Sequence, residues 1–308
     1  MKARRSILAG LLGRGVGPSL TPELHEREAA RQGLRYVYKT VDLDDGQLDP
    51  EHLRELLGSA VELGFDGLNV THPIKQAMVP LVDRVSPEVA AIGALNTIVV
   101  SDGQTFGHNS DVTGFTSAFR DGLPDVDLGE VLLLGAGGAG TAVAHALAAL
   151  GVHRLLIADP DTRRVAALVD SLRRTPHEVQ PEPVPPHDVP AALAHVQGLV
   201  NASPVGMTGH HPGSPVDTSG LRTDLWVADI VYRPLYTVLL RDAHARGCRT
   251  LSGAGMAVHQ AADTFELITG RPAHRADMFG DFDELVAAET GGDRHTPEPP
   301  ASGTHTRK

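Results

Sequence analysis

VLLLGAGGAGTAVAHALAAL, residues 131–150, decides the fold. Its first four residues form an uninterrupted apolar run, short enough for a strand and suited to one covered by helices on both faces. Gly135, Gly137 and Gly140 follow at G-x-G-x-x-G spacing, with Ala136, Gly138 and Ala139 between them, and a helix is predicted over Gly138–Leu150. The first glycine turns the chain, the second lets backbone approach a pyrophosphate, and the third lets helix and strand pack closely. The free N–H groups and positive dipole end of the helix attract the phosphates. A second strand, Leu155–Ala158, leads to Asp159, 19 residues past Gly140. A glycine-rich turn without a ligand is the alternative, but strand, turn, helix and acidic residue all stand where a dinucleotide site needs them. A carboxylate at 159 accepts hydrogen bonds from the adenine ribose hydroxyls of NAD and repels the 2′-phosphate of NADP. Arg163 and Arg164, one turn into the next helix, could hold such a phosphate or be solvated surface.

Outward from this motif the chain alternates strand and helix patterns. Before it, strands are predicted at Ile7–Leu12, Tyr36–Val41, Gly67–Val70 and Leu95–Val100. Helices are predicted at Pro22–Gln32, Pro50–Leu63, Pro73–Val82 and Asp111–Asp121, three of them opening on a proline. After it come strands Leu199–Asn201, Trp226–Asp229 and Thr250–Leu251, with helices Thr162–Leu172, Pro234–Arg246 and Met256–Thr269. The Pro-rich segment 175–190 has no firm assignment. The pattern is that of two α/β lobes meeting near residues 111–130. Met1–Arg5 is basic and Ile7–Leu12 apolar, but six apolar residues are fewer than a secretory segment needs, so a first strand is expected there. From Glu289 the chain loses periodicity, and 289–308 is expected to be a disordered tail.

The 308 residues suit two domains, and 41% hydrophobic content excludes a largely disordered chain. A net charge of −11 argues against nucleic acid, and no apolar run approaches a membrane span. A single cysteine, Cys248, excludes an internal disulfide framework and points to a cytoplasmic protein. The 16 histidines show no metal-ligand spacing, so no metal is expected.

The N-terminal lobe carries polar residues at strand ends: Ser19-Leu-Thr21-Pro, Asn69-Val-Thr71-His-Pro-Ile-Lys75, Gly93-Ala-Leu-Asn96-Thr and Gly107-His-Asn-Ser-Asp111. Each has a plain structural reading. Ser19, Thr21 and Asp111 could be helix N-caps, and Asn69 and Asn96 turn residues. Lys75 is one of four lysines among 27 cationic residues. A lysine can exchange its proton in catalysis, whereas arginine stays protonated.

Taken in order, these motifs resemble the shikimate dehydrogenase family, together with the glycine turn, Val200-Asn-Ala-Ser-Pro-Val-Gly-Met207, Asp229-Ile-Val-Tyr232-Arg-Pro and Gly255-Met-Ala-Val-His-Gln260. The resemblance spans about residues 6–282. It implies an N-terminal α/β substrate domain (1–112, with a C-terminal helix 255–283 packing back on it), a C-terminal Rossmann-type doubly wound domain (113–254), and a cleft between them. It further implies hydride exchange between a nicotinamide cofactor and a cyclohexane polyol carboxylate, with Lys75 and Asp111 as the catalytic pair. Ser19 and Thr21 would hold the carboxylate, Asn69 and Asn96 the ring hydroxyls, and Gln260, Thr71 and Tyr232 would complete the substrate pocket. Ala202, Ser203, Pro204, Met207, Val231, Gly253 and Met256 would line the nucleotide site with the glycine turn, Asp159 and Arg164.

Two departures narrow the expectation. Asp159-Pro160-Asp161 replaces the Asn-Arg-Thr of common NADP-using members, and Ser19-Leu-Thr21 replaces Ser-x-Ser. Both resemble NAD-linked quinate/shikimate dehydrogenases of actinobacterial type, so the expected substrates are quinate and shikimate, in a monomer or homodimer. The rivals are an NADP-linked biosynthetic shikimate dehydrogenase, an aminoquinate/aminoshikimate dehydrogenase, and a nucleotide-responsive regulator that keeps the fold without the chemistry.

Overall fold

The computed structural model describes residues 6–209 and 211–289. Strands β1 (Ser6–Gly13), β2 (Arg35–Asp42), β3 (Gly67–Val70), β4 (Arg84–Val85), β5 (Thr97–Ser101) and β6 (Gln104–His108) form a first sheet, in the order β2-β1-β3-β5-β6-β4. Helices α1 (Thr21–Arg31), α2 (Pro50–Glu62) and α3 (Pro87–Ile92) connect them. β1 is parallel to β2 and β3, β5 runs antiparallel to β3 and β6, and β4 is parallel to β6.

Helix α4 (Ser110–Gly122) leads to a second sheet built from β7 (Glu130–Leu134), β8 (Arg154–Ala158), β9 (Gln180–Pro183), β10 (Gly198–Asn201), β11 (Trp226–Asp229) and β12 (Arg249–Ser252). Its order is β12-β11-β10-β7-β8-β9 and every pairing is parallel. Helices α5 (Gly138–Leu150), α6 (Thr162–Leu172), α7 (Val189–Leu193) and α8 (Val238–Ala245) are interleaved with its strands. This is the doubly wound order, with the switch point between β7 and β10, so a crevice opens beyond the carboxyl ends of those strands. Alternate residues of β7 enter opposite cores: Val131 and Leu133 pack with Ile157 and Val200, Leu132 and Leu134 with Leu156 and Val227. That burial on both faces is why the run contains no polar residue.

Two more helices, α9 (Gly253–Thr269) and α10 (Arg275–Glu289), close the chain. α9 lies tightly on α4, where a Cβ on Gly114 would come within 2.9 Å of the Gln260 nitrogen. Among the described residues no helix is long and apolar enough to cross a membrane.

Several expectations need correction. Residues 73–82 do not form a helix; the segment is a series of turns ending in a 3₁₀ turn at Val79–Leu81. The Lys75 carbonyl accepts from Leu95 N across the chain, and Pro80 has no N–H to continue a ladder. The helix expected from Pro234 starts at Val238, capped by the Thr237 side chain. The single C-terminal helix is two, interrupted at Gly270 in the left-handed region and Pro272. Asn109, not Asp111, caps α4, its side chain accepting from Asp111 N. Leu20 occupies the cap position of α1, so Thr21 does not cap that helix, while the Ser19 hydroxyl, one residue earlier, accepts from the first N–H of the helix at Thr21. The β5–β6 hairpin, unread in sequence, turns on Asp102-Gly103 with φ of 52° and 77°, a pair suited to a two-residue hairpin loop. Of the expected tail, Glu289 ends α10; residues 290–308 lie outside the described residues, as do Met1–Arg5 and His210.

His25 of α1 is fully buried among Tyr36, Tyr38 and Phe265. Its Nδ1 lies 3.0 Å from the Tyr36 hydroxyl, while Nε2 has no partner. Burial pulls its pKa from 6.5 down to about 3. The unfolded chain therefore binds a proton that the folded chain excludes, so stability falls as pH drops below the ordinary histidine value and continues to fall toward the folded one. Between about pH 7 and about pH 5 this group should remove about 2 kcal/mol. Urea titrations should show that loss in the wild type and a shallower pH dependence in His25→Phe; equal slopes would reject the assignment.

Candidate active site

The segment after β3 and the start of α4 bring Lys75 and Asp111 together. Lys75 Nζ donates to Asp111 Oδ2 at 2.5 Å, with the two side chains 16% and 9% exposed. Because Asn109 takes the capping role, the Asp111 carboxylate is left to face the lysine. Its other oxygen accepts from Asn96 Nδ2 at 3.0 Å. The glycine turn lies across the cleft, and a Cβ on Gly138 would be 3.7 Å from Lys75 Cδ.

The asparagines expected to bind ring hydroxyls are drawn inward. Asn96 Nδ2 also donates to Ser110 Oγ, and its Oδ1 accepts from Ser110 N and the Thr97 hydroxyl. Asn69 Oδ1 accepts from the Tyr38 hydroxyl at 2.6 Å, while its Nδ2 points to Asn96 O and Thr264 Oγ1. Both residues are buried and engage their amides within the protein. Ser19, Thr21, Thr71 and Gln260 are half-buried. Ser19 Oγ accepts from Thr21 N, and Gln260 Nε2 donates to Ala257 O in its own helix. Tyr232 packs against Phe282 in the apolar cluster of Leu20 and Leu24, outside the network around Asp111. Burial pushes its hydroxyl above the usual tyrosine range.

The glycine turn has the shape of a phosphate cradle. Gly135 has φ of +101°, and a Cβ there would strike Ala202 O at 2.7 Å. A Cβ on Gly140 would lie 2.0 Å from Gly135 O, so only glycine permits this strand–helix contact. Nothing lies within 4 Å of the position a Gly137 Cβ would take, leaving the N-terminus of α5 open to a ligand. A dinucleotide pyrophosphate fits this opening through the backbone of residues 136–139. Asp159, at the end of β8, accepts from Ala136 N and Asp161 N, both at 2.8 Å, and so ties the glycine turn to the end of that strand. Arg164 is 60% exposed and 3.7 Å from Asp161 Oδ2; Arg163 also pairs with Asp161.

On the opposite flank, Asp229 is buried and accepts from the Thr237 hydroxyl, Val231 N and Asn201 Nδ2. Burial raises its pKa to about 6, against the lowering effect of those donors. Asn201 Oδ1 in turn holds Ser203 N and Oγ, so this pair ties together the loops carrying Ala202–Met207 and Val231–Tyr232. Pro204 is exposed, and Met207 lines a cleft of about 310 Å³ with Tyr236 and Arg241. A Cβ on Gly253 would lie 2.2 Å from Ile230 O, and Met256 is buried in the same core as Phe115. Sequence reasoning missed Tyr38, Thr97 and Thr264. A helical period places Thr264 on the face of Gln260, but a helix alone does not say which polar residues meet the strands.

A family model for the shikimate dehydrogenase substrate binding domain matches residues 11–98. The shikimate dehydrogenase (NADP(+)) of Streptomyces avermitilis is 49% identical over 290 residues, covering 94% of this chain and 99% of that protein. The quinate/shikimate dehydrogenase (NAD(+)) of Corynebacterium efficiens is 47% identical, covering 86% of this chain and 93% of its own. The solved quinate dehydrogenase from Corynebacterium glutamicum in complex with NAD superposes with a TM-score of 0.85 at 44% identity, covering 91% of this chain and 99% of that one. Relatives this similar over nearly their whole length leave one assignment: the chain belongs to the shikimate dehydrogenase family of oxidoreductases.

Proposed function

We propose that the protein is an NAD-dependent dehydrogenase that reversibly oxidises quinate to 3-dehydroquinate and shikimate to 3-dehydroshikimate. The observation that carries this reading is the 2.5 Å Lys75–Asp111 pair set against Gly138 of the phosphate turn. NAD, held by the glycine turn, would supply the acceptor for the hydride that leaves the carbinol carbon. Lys75 Nζ takes the proton from the hydroxyl on that carbon and returns it in the reverse direction. Asp111 orients the amine through its 2.5 Å hydrogen bond and stabilises the ammonium that forms. Asn96 holds Asp111 through its second oxygen. Residues 136–139 hold the pyrophosphate and Asp159 the adenine ribose.

The decisive test is a steady-state panel of quinate and shikimate against NAD and NADP. Turnover of both acids with NAD favoured supports the proposal. Shikimate turnover with NADP alone would support the second reading, an NADP-linked shikimate dehydrogenase, which the name of the Streptomyces relative favours.

Thr21 bears on quinate use. With Leu20 at the cap position, the Thr21 hydroxyl is available to a carboxylate, and its methyl adds bulk beside the ring carbon that bears it. That carbon is saturated in quinate and flatter in shikimate. One methyl group in a pocket is worth about 10–200-fold in discrimination. Thr21→Ser should therefore change the ratio of quinate to shikimate kcat/KM by about tenfold or more. An unchanged ratio would reject the role of Thr21.

A further inference from the structure

Asn69, Thr97, Ser110 and Thr264 come from four separate elements and meet beside Asn96. Thr264 lies on α9 one turn beyond Gln260 and is fully buried. Its Oγ1 is 2.9 Å from Thr97 Oγ1, 3.1 Å from Ser110 Oγ and 3.3 Å from Asn69 Nδ2. The neighbouring bonds fix the direction of most protons. Ser110 N donates to Asn96 Oδ1 at 2.8 Å, so the Asn96 amide nitrogen faces Ser110 Oγ and Asp111 Oδ1. The Thr97 hydroxyl donates to Asn96 Oδ1 at 3.0 Å, which leaves the Thr97 oxygen to accept from Thr264. The Thr264 oxygen in turn faces Asn69 Nδ2 and the Ser110 hydroxyl, whose proton is shared with Asn96 Oδ1 at 3.3 Å.

We propose that Thr264 is a positioning residue for the dehydrogenase reaction: its hydroxyl braces the Thr97 and Ser110 side chains that hold the Asn96 amide, and so the placement of Asp111 against Lys75. The inference rests on the reading that Lys75 and Asp111 carry the chemistry. Without the hydroxyl, Asn69 and Ser110 lose a buried acceptor and Thr97 loses its donor. Ser110 N still holds Asn96 Oδ1, but the Thr97 and Ser110 side chains, no longer tied to Thr264, shift, and the Asn96 amide and the Asp111 carboxylate it holds shift with them, away from the lysine. A displacement on the order of 1 Å in a reacting group can cost about a hundredfold in rate.

The experiment compares Thr264→Val, Thr264→Ala and Thr264→Ser with wild type for kcat, KM and the NAD dissociation constant. The alanine variant keeps the test readable if a valine methyl against three polar groups prevents folding. The hydroxyl-free variants that bind NAD as wild type does should lose about tenfold to a hundredfold in kcat. Thr264→Ser should stay within about threefold, because the hydroxyl remains. A hydroxyl-free variant with normal NAD binding and undiminished kcat overturns the proposal. So does a serine variant as impaired as alanine, because packing rather than the hydroxyl would then matter. A wild type that turns over neither acid with either nucleotide sinks the functional reading, and this inference with it.

Discussion

Lys75→Ala should lose about 10²–10⁴ in kcat while binding NAD almost as well as wild type, the usual scale for removing a general acid/base. The side chain donates to Asp111 at 2.5 Å, whereas the nucleotide contacts are expected from the backbone of residues 136–139 and from Asp159. Lys75→Arg should be no better. A guanidinium keeps the charge and the hydrogen bond but does not give up its proton. It is also longer and planar, in a place where a Cβ on Gly138 would be only 3.7 Å from the lysine stem. Steady-state rates with shikimate and NAD, alongside a nucleotide titration, separate chemistry from binding. A fully active Lys75→Arg enzyme would refute the proton-transfer role. Loss of NAD affinity in proportion to rate would show that the lysine serves binding.

NAD should exceed NADP in kcat/KM by about a hundredfold or more. A carboxylate and a phosphate charge about 4 Å apart near a protein surface repel by about 4 kcal/mol before salt screening. Asp159 is held at the end of β8 by two backbone N–H groups and has little freedom to move away from a 2′-phosphate. Pro160 offers no cation, and the neighbouring arginines pair with Asp161. Asp159→Ala should narrow the ratio from both sides: NAD loses its ribose acceptor and NADP loses the repulsion. Ala136 N also loses a partner, so total activity should fall. Equal kcat/KM for the two nucleotides in wild type would reject the assignment. An unchanged ratio in the variant would place discrimination elsewhere.

The nucleotide half was the most legible in sequence. Gly138–Leu150 and Thr162–Leu172 have the predicted bounds, and β7 and β8 each begin one residue early. The signals there are local: alternate residues of a short apolar run buried on two faces, glycines where a Cβ would collide, a carboxylate one strand away. Neighbouring residues settle each of these through steric exclusion and backbone hydrogen bonding. The Asp102-Gly103 turn was equally local, but the flanking Gln-Thr-Phe-Gly-His carries too little apolar alternation to announce a strand.

The substrate half was legible as a set of motifs in order, which sufficed for the family and pointed to Lys75 and Asp111, which the structure brings within 2.5 Å. How their side chains are arranged was decided only by the tertiary structure. Proline at 73 and an apolar pattern through 82 read as a helix, but Leu95 N takes the Lys75 carbonyl, and the segment becomes turns. Asp111 is freed for the lysine because Asn109 caps the helix. Asn69 and Thr264 stand 195 positions apart and touch because α9 packs on α4. Such contacts depend on closing long stretches of chain, whose entropic cost is met by the whole core rather than by the residues that meet. Local sequence signals therefore sufficed for the fold, the glycine turn and the family, and pointed to Lys75 and Asp111 as the pair proposed to react. Only the folded chain decided which buried amides and hydroxyls hold that pair in place.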